Sequence, residues 1–209
     1  MRFLVFAEGT TEELGVGAFL GRWLNLKLSA SVGVRVVKLR GSDRFEKDIA
    51  QMVALHLGRD RGREIIAAIG LLDLYAGISY PKGISTADER YEWGAQHFGA
   101  LVDHDRFRMF FAVHEAEAWL FSDPSIFPRE IGRRIPGQCA AAPEQADFDS
   151  PPARRLAAIY RQAARREYRK VTDGVRLFRR LDPQVAYGKC PYLRRLLDEM
   201  LRLARQAGL

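Results

Sequence analysis

Continuous apolar blocks alternate along this chain with stretches in which apolar residues return every three or four positions. Phe3-Leu-Val-Phe-Ala7 is such a block, the pattern of a buried strand. From Thr11 to Leu28, Leu14, Phe19, Leu20, Trp23 and Leu24 fall at near-helical spacing, which predicts an amphipathic helix. Val34 to Arg40 is β-branched and strand-like. Gly41-Ser42-Asp43 breaks it and offers caps for a helix to about Leu57, with Phe45, Ile49, Met52, Val53 and Leu57 inward. Gly58 to Arg63 reads as a polar turn. Glu64 to Leu72, ending at Asp73, is apolar enough to be a strand covered on both faces. Gly77 to Gly83 is predicted as a loop, Thr86 to Leu101 as a helix carrying Trp93 and Phe98, and Arg108 to Val113 as a strand that ends at His114-Glu115.

Strand and helix in regular alternation predict an α/β fold, a parallel or mostly parallel sheet with helices on both faces. Residues 124–152 are rich in Pro, Gly and Ala and are expected to form an extended connection rather than core. Beyond them Ala153 to Arg166 and Pro191 to Ala204 are amphipathic, the second with Leu193, Leu196, Leu197, Met200 and Leu201 on one stripe. Pro191 suits a helix start. Residues 1–123 are therefore read as the α/β core. Residues 124–209 are read as a connection and a helical C-terminal extension packed on it, in a single compact domain.

At 209 residues and 47% hydrophobic, the chain can bury one sizeable core and is short for two. It has no run of about 18 apolar residues that would span a membrane, and its start lacks the pattern of a signal peptide. Cys139 and Cys190 are far apart and outside any C-x-x-C pattern, which suits reduced thiols in a cytoplasmic protein. No G-x-x-x-x-G-K-[ST] occurs, so the chain is not itself a P-loop ATPase.

Charge changes the picture. Residues 151–209 hold 15 Lys and Arg against 5 Asp and Glu, a net +10 within a chain of net +7, which leaves −3 for residues 1–150. An acidic front and a basic tail fit a polyanion, DNA or RNA, whose reactive phosphate is brought to a metal-binding acidic cluster. Arg154, Arg155, Arg161, Arg165, Arg166 and Arg169 are the candidate nucleic-acid contacts, though arginine-rich helices are often simply solvated faces.

The candidate chemistry lies where strands end. Glu8 follows the first strand, Asp73 the third, and Glu115 with Glu117 the fourth. Such hard oxygen ligands would converge on one rim and suit Mg²⁺ or Mn²⁺, which polarises a phosphoryl oxygen and lowers the pKa of bound water. Glu8, Asp73 and Glu117 are expected to meet around a shared cation. Glu12 and Glu13 stand in the first helical turn, where they also favour the helix dipole, and Thr10-x-x-Glu13 fits a capping box. Glu8 precedes that cap, so helix chemistry does not account for it. His114 is either structural or a partner to the acids.

Four segments together resemble a known family: Glu8-Gly-Thr-Thr-Glu12, Leu72-Asp73-Leu-Tyr75, His114-Glu115-Ala-Glu117-Ala-Trp119-Leu-Phe-Ser-Asp-Pro124, and Tyr168-Arg-Lys170-Val-Thr-Asp173-Gly174. They are similar to domain-of-unknown-function family 4276, a bacterial family grouped with Toprim-like nucleases and found beside ATPases in phage defence. The resemblance runs from Met1 to about Leu201. It implies a Toprim-like, Rossmann-like sheet with metal-dependent phosphodiester chemistry, and an AAA- or ABC-type ATPase as partner. Glu8 would act as general acid or base or as a metal ligand. Asp73 matches the first member of the Toprim D-x-D pair, but Tyr75 stands in the second, so either Glu115 or Glu117 completes the site or metal binding is weak. Glu117-Ala-Trp119 resembles an element of similar defence nucleases, which favours Glu117. Lys170 would offset transition-state charge, Glu12 would assist, and Asp173-Gly174 would close a turn. Tyr75 is read as a packing or hydrogen-bonding residue, and Trp119, Leu120 and Phe121 as core. The Asp-x-Tyr departure leaves open a catalytically silent module that binds nucleic acid or a partner protein, and primase-like phosphotransfer stays possible on the same scaffold.

Overall fold

The computed structural model describes the chain apart from residues 10, 40, 61, 63, 76 and 147–149 and the side chains of 42 and 43. At its centre four parallel strands, β1 (Arg2–Ala7), β2 (Gly33–Lys38), β3 (Ile65–Asp73) and β4 (Phe107–Ala112), pair in the order β2-β1-β3-β4. This is the α/β class that the alternation of blocks predicts. β3, central and flanked on both sides, is buried along most of its length, as a strand covered on both faces must be.

Helices α1 (Gly17–Lys27), α2 (Ser42–Gly58) and α3 (Ala87–Val102) make the crossovers. The chain moves one way from β1 to β2, then back past β1 to β3 and on to β4. Right-handed crossovers put α1 on one face and α2 and α3 on the other. Accordingly α2 packs on α3, and α3 lies along β4. Thr86 starts α3 with a capping box, accepting from Glu89 N–H while Glu89 reaches back to Thr86 N–H. The box expected at Thr10 and the caps expected from Ser42 and Asp43 lie outside the described residues.

Two expectations need correction. Leu14 is not inward: it is 46% exposed, because the chain enters α1 through a widened π-turn, Glu12–Val16, that shifts the helical phase. The described part of residues 124–152 is not a loose connection either. Phe127, Ile131, Ile135 and Cys139 recur at helical spacing and are buried, on the short helices α4 (Arg129–Gly132) and α5 (Gly137–Ala141) and the turns before them. Prolines 128 and 136 break the segment into pieces too short for a long-period pattern to show, which is why it looks like loop in sequence. Glu144, 3% exposed, ties it down. Its carboxylate accepts hydrogen bonds from Trp119 Nε1 at 3.0 Å, Tyr192 N at 2.7 Å and Leu193 N at 3.0 Å.

The C-terminal part contains α6 (Pro152–Ala164), α7 (Val175–Arg180), α8 (Pro183–Lys189) and α9 (Pro191–Gln206). The leucine stripe of α9 is buried, and this helix packs on α1, β3 and β4. Trp23 Nε1 donates to Leu197 O at 3.2 Å, joining α1 to α9. Phe19 of α1, Trp119 and Phe178 of α7 meet pairwise with ring centroids 6.3–6.4 Å apart. Both cysteines are buried and unbridged. Among the described residues no helix is long and apolar enough to cross a membrane.

Gly94 sits where α3 crosses β4, and a Cβ there would lie 2.6 Å from Phe111 Cζ. Gly94→Ala is expected to lower stability by about 1–3 kcal/mol through overpacking. Gly99→Ala on the same helix, with open space around it, should raise it by about 0.5–1 kcal/mol. Urea denaturation of the two variants checks both signs.

Candidate active site

Open parallel sheets keep their ligand sites outside the carboxyl ends of the strands, where crossovers depart in opposite directions. Here that point falls between β1 and β3. Phe6 is in register with Gly70, so the chain leaves β1 at Glu8 and β3 at Asp73 on the same rim. Glu8 is half-buried there. Asp73 is in register with Ala112 of β4, and its Oδ1 accepts a hydrogen bond from Ala116 N–H at 3.2 Å. That bond fixes the start of the buried 3-10 turn Ala116–Ser122. The turn aims Glu117 inward with 0% of its surface exposed.

Two more side chains arrive on a pair of π-turns. Glu12, 8% exposed, opens the turn Glu12–Val16. Its carboxylate folds back over the end of β1, and a Cβ at Gly9 would collide with Glu12 Oε2. Lys170 opens the second turn, Lys170–Gly174. The two turns touch: Thr11 Oγ1 donates to Lys170 O at 3.4 Å, and a Cβ at Gly174 would stand 2.7 Å from the Tyr168 hydroxyl and 3.3 Å from Thr11 Cγ2. Single π-turns recur at functional sites because the extra residue re-aims the side chains around it. Lys170 Nζ reaches Glu117 Oε1 at 3.2 Å while 42% of the lysine side chain faces solvent.

The electrostatics follow from crowding. Burial pushes Glu117 up to about 7; Lys170 works against that shift, and Glu12 and Glu115 add to it. Burial also raises Asp73 well above the usual carboxylate range, with Glu12 and Glu117 adding to the effect. Burial alone would lower Lys170, but Glu117, Asp73, Glu12 and Glu115 together hold its ammonium above the ordinary range. One ammonium therefore serves four carboxylates. Among the described residues neither oxygen of Glu117 nor the hydroxyl of Tyr168 has a hydrogen-bond partner, an uncommon state for buried polar atoms. Nor do any three His, Cys, Asp or Glu side chains among them stand at the mutual spacing of a metal cage.

The structure thus groups Glu12, Asp73, Glu115, Glu117 and Lys170, with Glu8 on the same rim. Glu115 has other work, since its Oε2 accepts from Ala153 N–H at 2.8 Å and so anchors the start of α6. Tyr75 stacks on His114, centroids 5.6 Å apart, consistent with a packing role. His114 holds a left-handed φ of 66°, a conformation that costs on the order of 1 kcal/mol or more outside glycine. Of the basic set, Arg154, Arg161, Arg165 and Arg169 are exposed and Arg155 is half-buried. Arg161 lies 3.9 Å from Glu167. Arg166 is already engaged, with its Nη1 and Nη2 meeting Asp173 at 2.7 and 2.9 Å, so Asp173 clamps the loop before Lys170 as well as closing a turn. Tyr168 is the neighbour that residue-by-residue reading missed. Its only signal in sequence is its place two residues before Lys170 in the family-like segment.

Fold and rim together define a parallel α/β domain with an acidic, lysine-bearing site at its switch point. The chain belongs to the family DUF4276, a domain of unknown function, whose model matches residues 7–201. Two solved structures of the C-terminal region of the Xanthomonas campestris pv. campestris OLD protein, phased with iodine and with platinum, are similar to it at 17% identity. The first gives a TM-score of 0.47 and covers 99% of this chain and 98% of that one. The second gives 0.46, with 100% and 97%. No curated protein matches the chain.

A carboxyl group raised by folding binds its proton more tightly in the folded than in the unfolded state. The stability it contributes at low pH is lost as pH rises from the ordinary glutamate range to about 7. For Glu117 this amounts to on the order of 3 kcal/mol. Without divalent cations, the urea midpoint should fall between pH 5 and pH 8, and Glu117→Gln should flatten that fall. Part of the slope should remain from Glu144, which burial also pushes up to about 7.

Proposed function

We propose that this protein is a divalent-metal-dependent nuclease that hydrolyses phosphodiester bonds at the rim between β1, β3 and β4. One observation carries the reading: Glu117 is fully buried, the half-exposed Lys170 ammonium stands 3.2 Å from one of its oxygens, and it sits among acids that this lysine only partly offsets. Such a site has unmet demand for positive charge. Mg²⁺ or Mn²⁺ fits that demand by donor chemistry, since every acid offers hard oxygens. Asp73 and Glu117 would hold it, with waters filling the rest of its shell, Glu12 and Glu8 at the edge of the site, and Glu115 restrained by its bond to α6. When bound, the cation would polarise a phosphoryl oxygen and lower the pKa of water.

The chain's own residues supply the rest. Lys170, solvent-accessible at one side and paired with Glu117 at the other, can offset charge on a phosphate entering the rim. Asp73 holds the Ala116–Ser122 turn, and so Glu117, in position. The exposed arginines of α6 and the loop beyond it suit a polyanion backbone. The Toprim-like resemblance of the segments around Glu8, Asp73, Glu117 and Lys170 supports reading this activity as the effector of a bacterial anti-phage system working with an ATPase partner.

A second reading rests on the Lys170–Glu117 pair itself. An ammonium 3.2 Å from the central carboxylate can fill the role of a cation, and a module so arranged would bind nucleic acid or a partner protein without cutting. Cleavage of plasmid DNA and of RNA with Mg²⁺ or Mn²⁺ separates the two. Wild type should cut, and Asp73→Asn, Glu117→Gln and Lys170→Met should each lose about 10²-fold or more. Equal cleavage by wild type and variants would mark a contaminant and end the nuclease reading. Calorimetry with Mn²⁺ should show binding that Asp73→Asn abolishes. Salt-sensitive nucleic-acid binding with no metal heat would favour the silent module.

A further inference from the structure

Arg90, on α3, is held between two rings. Its guanidinium carbon lies 5.0 Å from the centroid of Tyr75 and 5.2 Å from that of Tyr80, within the range of cation–π attraction. Both tyrosines belong to the segment that leaves β3 at Asp73. The Tyr80 hydroxyl donates to Leu74 O at 2.6 Å, which ties its ring to the strand end. Tyr80 packs edge-on against Trp93, centroids 5.4 Å apart, one helical turn beyond Arg90. Tyr75 is fixed on its side by His114. The guanidinium thus lies beside the acidic rim against two rings carried by the segment that leaves β3.

An arginine placed with such care ordinarily meets a carboxylate. Among the described residues the Arg90 side chain makes no hydrogen bond and no ion pair, and its Nε is buried without a partner. The acids nearest in sequence are engaged elsewhere. Glu89 caps α3 through Ser85 and Thr86, Glu92 pairs with Arg195 at 3.0 Å, and Asp88 accepts from the Tyr192 hydroxyl at 2.6 Å. A buried donor left unmet costs free energy. A planar donor fork fixed in orientation is matched best by the paired oxygens of a phosphate or carboxylate.

We propose that Arg90, gripped by Tyr75 and Tyr80, is a phosphate-binding site beside the acidic rim that takes a backbone phosphodiester of the nucleic acid. The assignment to a nucleic acid rests on the nuclease reading; the anion site does not. Because Arg90 lies over both tyrosine rings, those faces do not serve bases, and the contact reads backbone rather than sequence. It adds a phosphate contact on the α3 side of the rim.

The test is binding of a fluorescent single-stranded oligonucleotide by the full chain in EDTA, measured by anisotropy across a salt series. Inorganic phosphate and a mononucleotide serve as competitors. Arg90→Gln should weaken oligonucleotide binding about tenfold or more and lower the salt slope by about one phosphate contact. Arg90→Lys should recover little of it, since an ammonium lacks the planar fork. Tyr75→Ala, which removes one jaw and keeps the arginine, should fall between. Unchanged affinity and slope in Arg90→Gln for oligonucleotide and phosphate alike would overturn the site. Loss for phosphate and mononucleotide but not for the oligonucleotide would overturn its assignment to the backbone. A protein that binds through Arg90 yet cuts nothing with Mg²⁺ or Mn²⁺ would uphold this inference while overturning the nuclease reading.

Discussion

The contact on which the site depends is the buried carboxylate of Glu117 against the half-exposed ammonium of Lys170. Removing a carboxylate from water is costly unless charge or hydrogen bonds replace the water. Here the replacement is a single lysine, shared with Asp73, Glu12 and Glu115. The structure keeps an only partly compensated acid at its switch point because surrounding packing over-determines it. The Ala116–Ser122 turn is held at its start by Asp73 and at Trp119 by Glu144. The Trp119 ring, in turn, is boxed by Phe19 and Phe178. Glu117 cannot turn to solvent without dislodging that core.

This arrangement explains why the C-terminal third belongs to the core. Helices α5, α6, α7 and α8 all converge on the turn that carries Glu117. Glu144 is the clearest case: a single carboxylate satisfies the indole of Trp119 and two backbone N–H groups at the start of α9. Acidic rim and basic tail are therefore parts of one folded unit. The lysine that answers the acids is delivered from the same stretch whose arginines suit a phosphate backbone.

Much of the frame was legible in the residues, and the reasons are physical. Strand blocks such as Phe3–Ala7 and Glu64–Leu72 are continuous because the central strands are covered on both faces, and the stripe of α9 is regular because one side faces the sheet. Asp73 and Glu117 could be singled out because acids at strand ends have no local structural reason to be there, whereas Glu12 stands in a first helical turn that already favours an acid and Lys170 stands out only through the family-like segment around it. Other features left no mark. Pro128 and Pro136 cut a buried segment into pieces shorter than the period that reveals a helix. Glu144 is a lone acid whose three donors come from residues 119, 192 and 193. Arg90 lies on an ordinary charged helix, and only the return of the chain after β3 brings the two tyrosines around it. Long-range partnership of this kind has no periodic signature.

The paired π-turns carry a consequence of their own. Each holds one residue more than a regular helical turn, and one residue corresponds to about 100° of rotation around a helix. Deleting a single residue from either turn would let it relax into an ordinary helix while swinging Glu12 or Lys170 away from the rim, even with every chemical group still present in the chain. Competence at this rim is thus encoded in spacing as much as in side-chain identity.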